Sequence, residues 1–299
     1  AVYGGFLGTA DPGGGESDVS ERNVYLNETI LSGDLGEGLY AYHVVTSDAD
    51  GFGTRLDGFT VTQGHAEYDG GGMISRGSAT GVIRCTFSEN QADGNGGAIA
   101  VGPIAQGGTG PFRIVNCIFA QNSAGESGGA VSANKDPEIV NSLFYNNVAA
   151  SGITNYGGAV VNYATMTLTN CTLAANEADR GGGVAGTGFY GSDTTLANCI
   201  LWGNSDYQGW LNDRSAMHVR YSDVQNGKNG IGGNHDELDW DEASNIPDPP
   251  QFIPGTYRAE RDSPCRDEAN EADLPLDIFD LDYDGLYGEE LIPYDLDLG

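Results

Sequence analysis

The residues best spaced for chemistry lie near the C-terminus. Asp280-x-Asp282-x-Asp284-Gly285 alternates carboxylates and ends on a glycine. That is how a calcium loop opens, with hard oxygen ligands at alternate positions and a glycine at the sharp turn. Leu291 holds the twelfth position, where an acid belongs, and Glu289 and Glu290 fall just short of it. No helical pattern flanks the loop. Two readings stay open: a Ca2+ site drawn from Asp280, Asp282, Asp284, Glu289 and Glu290, or a solvated acidic cap or extension over residues 268–299. The surroundings are strongly acidic, since residues 228–299 hold 20 Asp+Glu against 4 Lys+Arg. Within them, Asp236, Asp239, Asp241 and Glu242 form a weaker candidate metal cluster.

Other chemistry is less clearly written. His43, His65, His218 and His235 show no HxH or HExxH spacing, so each reads as a polar surface or corner residue. The cysteines Cys85, Cys117, Cys171 and Cys199 lie too far apart for the CxxC pairs of a metal site. They read as buried thiols in preference to disulfides, with Cys265 the odd remainder. A glycoside hydrolase needs two carboxylates flanking the scissile bond. Asp179, Asp193 and Asp206 are candidates, with Trp202, Tyr207 and Trp210 as sugar-stacking aromatics. A lyase acting on a polyanionic glycan needs a cationic groove, and 13 Lys+Arg against 43 Asp+Glu oppose that. The balance leans away from an enzyme but leaves a carbohydrate-active one open.

The elements that would position such residues follow from the rest of the chain. Its 299 residues carry a formal charge of −30, which repels nucleic acid. No apolar run approaches the roughly 18 residues of a membrane-spanning helix. The 47 glycines do not recur at every third residue, which excludes collagen. Apolar residues come in short β-rich pieces such as Phe112–Val115 and Ile139–Tyr145, and helical periodicity is nearly absent.

Those pieces repeat. Cys85, Cys117, Ser142, Cys171 and Cys199 align as one column, stepping by 32, 25, 29 and 28 residues. Phe87, Phe119, Phe144, Leu173 and Leu201 lie two residues on, and Asn90, Asn122, Asn147, Asn176 and Asn204 three further. Glycine pairs follow at Gly96-Gly97, Gly128-Gly129, Gly157-Gly158 and Gly182-Gly183. A period of this length made of short strands and turns fits an all-β, single-stranded right-handed parallel β-helix of roughly 8–11 coils over residues 1–267. Asn116, Asn141, Asn170 and Asn198, each just before the small-residue column, should bend the chain in the left-handed conformation, with Gly58 in the equivalent place. Their amides are expected to hydrogen-bond from coil to coil. Arg84 breaks that column and predicts a local irregularity. Insertions at Gly102–Gly110 and Ala149–Tyr156 are expected to form a binding face. Pro250–Ile253 and Thr256–Glu260 suggest one or two further coils.

Gly96–Ile99 with Phe119–Asn122, and Gly128–Val131 with Phe144–Asn147, resemble the repeats of polymorphic outer-membrane proteins. The ordered set is also similar to secreted bacterial right-handed β-helix repeat proteins. Their opening coils look like Val2–Phe6 and Thr29–Asp34, and their closing segment like Ser263-Pro264-Cys265 and Pro275–Asp284. The resemblance implies a bacterial protein, extracellular or at the cell surface, acting as scaffold, adhesin or matrix and filament component, usually without catalysis. Such proteins extend further at both ends, so the chain is expected to be a processed or incomplete form. Expected partners are a second copy stacked end to end and an extracellular glycan, with Ca2+ as a stabilising ion and with neither nucleic acid nor a membrane span. The alternatives are a carbohydrate-active enzyme and a calcium-dependent glycan-binding module.

Overall fold

A computed structural model describes residues 1–7, 19–48, 54–76, 80–102, 112–150, 155–188, 191–260 and 262–265, with the backbone alone at 276–277 and 289–290. The chain winds into a right-handed parallel β-solenoid. One coil shows the plan. Phe112–Val115 lies in the first sheet, Ile118–Ala120 in the second, Ser123–Ala124 in a short fourth ladder, and Val131–Ala133 in the third. Seven successive coils between residues 54 and 233 repeat the strands of the first three sheets, and the first four of those coils also carry the short ladder. A looser coil precedes them, and Leu238–Trp240 adds a ninth rung to the first sheet.

Register is uniform. Val82, Ile114, Ile139, Leu168, Leu196 and Val219 lie one above the next in the first sheet. Phe87, Phe119, Phe144, Leu173 and Leu201 do so in the second. All point inward and are buried. Phe119 stacks on Phe144 with centroids 4.6 Å apart and on Phe87 at 5.3 Å, nearly parallel in both cases. Like residues meet because rungs repeat at about 4.8 Å, close to the centroid separation of offset-stacked rings.

Single residues make the bends. Gly58, Arg84, Asn116, Asn141, Asn170, Asn198 and Tyr221 all have φ between +45° and +81°. The left-handed asparagine corner is therefore present, but the irregularity expected at Arg84 is not. Arg84 bends at φ +49° and its rung keeps register on both sides. A second left-handed column, which the sequence hid, turns the chain again at Gln63, Glu89, Gln121, Asn146, Ala175 and Gly203. A third corner uses Gly70, Gly96, Gly128, Gly157 and Gly181. This shifts one pair by a residue. Gly181-Gly182 is the corner equivalent to Gly157-Gly158, and Gly183 sits in the alanine column.

The expected downstream coils do not form. Phe252 bridges Ala259 in an antiparallel hairpin, and the segment turns back along the outside of the second sheet. The Tyr257 ring packs on Tyr145, centroids 5.1 Å apart. Most of residues 268–299, the acidic extension, lies outside the described residues, as do the inserted loops over 103–111 and 151–154. At its far end Leu276–Asp277 pairs antiparallel with Glu289–Glu290.

Candidate functional site

The third corner carries an outward row of side chains, one set per coil. Asp69, Asn95, Ser127, Tyr156 and Arg180 each precede the left-handed glycine, so stacking brings them into line. Each coil ties into the next. The Asn95 backbone N–H donates to Asp69 Oδ1 at 2.7 Å, Ser127 N–H to Asn95 Oδ1 at 3.2 Å, and Tyr156 N–H to Ser127 Oγ at 3.2 Å. Asn95 Nδ2 donates to Glu126 Oε2, and the Tyr163 hydroxyl to Asn95 Oδ1. Burial, with a smaller contribution from the Glu126 and Asp69 charges, pushes the Tyr163 phenol up.

Towards the C-terminal end this row becomes aromatic. The Arg180 guanidinium lies 4.9 Å from the Trp210 ring centroid and 5.5 Å from that of Tyr156, and donates to the Tyr156 hydroxyl at 3.0 Å. Tyr207 packs on Trp210 at 5.5 Å. Asp206 takes the corner position that glycine holds elsewhere, at φ +56°. Burial raises its carboxyl, Arg180 pulls it down, and Asp179 raises it again. Asp179, Asp206, Tyr207 and Trp210 therefore meet here, two carboxylates and two aromatic rings around one arginine. Asp193 and Trp202 belong elsewhere. Asp193 sits in the first sheet 3.4 Å from His218, which also lies 3.1 Å from Asp239. Trp202 lies in the second sheet.

The strongest charge cluster is at the other end, and sequence reasoning missed it. Asp57 is fully buried, and Arg22 and Arg84 reach its Oδ2 at 2.7 and 2.8 Å, with Arg55 beside them. Burial alone would raise this carboxyl, but the Arg84 hydrogen bonds and the three guanidinium charges outweigh it and hold it below the usual range. Arg22 also donates to the carbonyls of Gly4 and Asp57, which fastens the N-terminal strand to the solenoid. Arg84, the misfit in the asparagine column, was the available signal.

Two polar columns face inward. The coil-to-coil amide ladder runs through Asn90, Asn122, Asn147, Asn176 and Asn204, three residues beyond the phenylalanine column. Each Nδ2 donates to the next Oδ1 at 2.9–3.0 Å, and the last to Gln208 Oε1 at 2.8 Å. Each also donates to a carbonyl of the preceding coil, and each next Oδ1 accepts a backbone N–H as well. The corner asparagines, where the ladder was expected, show a bond from Asn141 to Asn116. The second column is the cysteines. Cys85, Cys117, Cys171 and Cys199 are buried free thiols, each donating to the carbonyl two residues before it at 3.2–3.3 Å. Ser142 and Ser222 do the same at 2.9 and 2.8 Å. Burial pushes Cys85 up to about 12, and Cys117 and Cys171 well above the ordinary range, which removes the thiolate a nucleophile needs.

Asp280, Asp282 and Asp284 lie outside the described residues, and of Glu289 and Glu290 only the backbone is described. Among the described residues no group of three or more His, Cys, Asp or Glu is arranged to hold a metal ion, and that covers the Asp236, Asp239, Asp241 and Glu242 cluster.

Stacked in-register rungs, an inward amide ladder and an outward polar corner define a parallel β-helix repeat protein. A family model described as a right handed beta helix region matches residues 104–238. One described as the Chlamydia polymorphic membrane protein repeat matches residues 84–102. Comparison with curated proteins and with solved structures gave no match. The two repeat types point to a bacterial surface or outer-membrane-type protein. No helix of the described residues is long and apolar enough to cross a membrane.

Proposed function

We propose that the protein is a non-catalytic β-helix displayed outside the bacterial cell, serving as a rigid scaffold or adhesin. The observation that carries this reading is the use made of the repeated polar side chains. The asparagines and the corner residues spend their hydrogen bonds on the neighbouring coil, which suits a rod whose task is shape. Stacking onto a second copy belongs to the same reading. Large exposed apolar side chains among the described residues concentrate at the N-terminal end, including Val2, Leu26, Ile30, Leu35 and Leu39. Light scattering across a concentration series should show self-association, and a strictly monomeric protein at high concentration removes that part. Calcium stabilisation through the acidic segment predicts a higher melting temperature with Ca2+ than with EDTA. Identical melting curves remove the ion.

A second reading, a carbohydrate-active enzyme or a glycan-binding module, is favoured by Asp179 and Asp206 beside Arg180, Tyr207 and Trp210. A glycan array followed by product analysis tests it. Binding lost in Trp210→Ala supports a module, and product formation lost in Asp206→Asn supports an enzyme. No binding and no product leaves the scaffold alone.

A further inference from the structure

The outward column of the second sheet reads Thr60, Thr86, Ile118, Leu143, Thr172, Ile200 and then Asp223. The acid does not face water. Asp223 is 3% exposed, because the returning chain lies across it. The Cys265 thiol donates to its Oδ2 at 2.9 Å. Oδ1 is buried with no hydrogen-bond partner among the described residues. The two side chains line a small hollow with Cys199, Ile200, Tyr221, Ser244 and Ile246.

The returning segment is thinly held. From Asp223 it reaches back three rungs, where Tyr257 packs on Tyr145 and its hydroxyl donates to Asn146 Oδ1 at 3.4 Å. Phe252 packs on Tyr257, and the Ser263 hydroxyl donates to the Pro250 carbonyl. Most other residues over 247–260 are exposed. A segment with so few apolar anchors opens locally at a small fraction of the global unfolding free energy. Its anchor at the Cys265 end is a carboxyl group that no cation among these contacts offsets.

We propose that residues 247–260 with 262–265 form a strap whose seat on the second sheet is set by the protonation of Asp223, docked while the acid is neutral and released once it ionises. The titratable groups facing the acid are the Cys265 thiol and the Asp248 carboxylate, with Tyr221 lining the hollow beside them. None of these supplies a positive charge. Burial pushes Asp223 up to about 7, and Asp248 adds to the rise against the Cys265 hydrogen bond. The sign follows. The docked strap binds a proton that the released one gives up, so docking is strongest below the ordinary carboxylate range and weakens as pH climbs towards 7. Release bares the outward side of the second sheet around Tyr145 and Ile200. Rising pH therefore uncovers a face with two apolar side chains while the solenoid stays wound.

Hydrogen exchange read by mass spectrometry tests this on the full chain at pH 5 and pH 8.5, corrected for the intrinsic exchange rate. Peptides covering 247–260 should lose at least tenfold in protection at the higher pH, while a core peptide over 139–147 keeps its own. In Asp223→Asn, which holds the neutral form at both pH values, strap protection should become independent of pH. If that variant does not fold, Asp248→Asn serves in its place and should move the transition to lower pH, because removing its charge makes Asp223 easier to ionise; a transition that stays put or moves upward overturns the proposal. Strap protection that is equal at the two pH values in the wild type, or a pH response that persists in Asp223→Asn, overturns it as well.

Discussion

At the scale of single residues, the inward asparagine is the costliest position to change. Asn147 Nδ2 satisfies the Phe119 carbonyl and Asn176 Oδ1, while its own Oδ1 takes the Asn122 amide and backbone N–H. Asn147→Ala strands all of these in a fully buried site. Buried unpaired polar groups cost about 1–3 kcal/mol each, so a loss of about 3 kcal/mol or more is expected in denaturant titration. The cysteine column should behave in the opposite way. Cys171→Ser recreates the arrangement seen at Ser142 and Ser222, so its unfolding midpoint should move by less than the equivalent of about 1 kcal/mol. The native thiols at 85, 117, 171 and 199 should resist an aromatic disulfide reagent until the protein unfolds.

At the scale of the coil, backbone conformation matters more than side-chain identity. Gly157 bends at φ +65°, and a Cβ there would strike the Val160 carbonyl. Gly157→Ala should cost about 2–4 kcal/mol, since neither the conformation nor the space suits it. Glu89 bends at φ +56° with its side chain in solvent. Glu89→Gly should raise stability by about 0.5–1 kcal/mol, by relieving the left-handed penalty net of the added chain entropy. Paired thermal melts of the two variants check both signs. This is also where legibility stopped. The columns of Cys, Phe, Asn and Gly were visible because each needs a particular residue type. The second bend was invisible because Gln, Glu, Ala and Asn all occupy it, held there by the register of the rungs on either side. The strap was misread as coils because Pro250–Ile253 and Thr256–Glu260 look like short strands whichever way the chain then turns. At the corner, the sequence supplied Asp179, Asp206, Tyr207 and Trp210 but not Arg180, whose importance lies only in what surrounds it.

At the scale of the molecule, each coil of the solenoid packs chiefly on its two neighbours, so stability is close to a sum of rung and interface contributions. Central coils have two neighbours and end coils one. Hydrogen exchange should therefore be slowest over 112–174, where the phenylalanines stack, and quicken towards both ends. Uniform protection along the chain would show instead that the solenoid opens as a single cooperative body. The charge is distributed to match. The three arginines at Asp57 hold the N-terminal strand, and the acidic residues gather towards the other end.

The amide ladder has one more consequence. Every rung offers the next the same donor and the same acceptor, and Gln208 stands in at the last position for an asparagine that the following coil lacks. The protein is thus divisible. Removing residues 141–169 as a block would join Val140 to Asn170 and bring Asn122 opposite Asn176, leaving a shorter rod with its seam closed. Length in this fold is a quantity that recombination can adjust in whole units without redesigning the amide ladder.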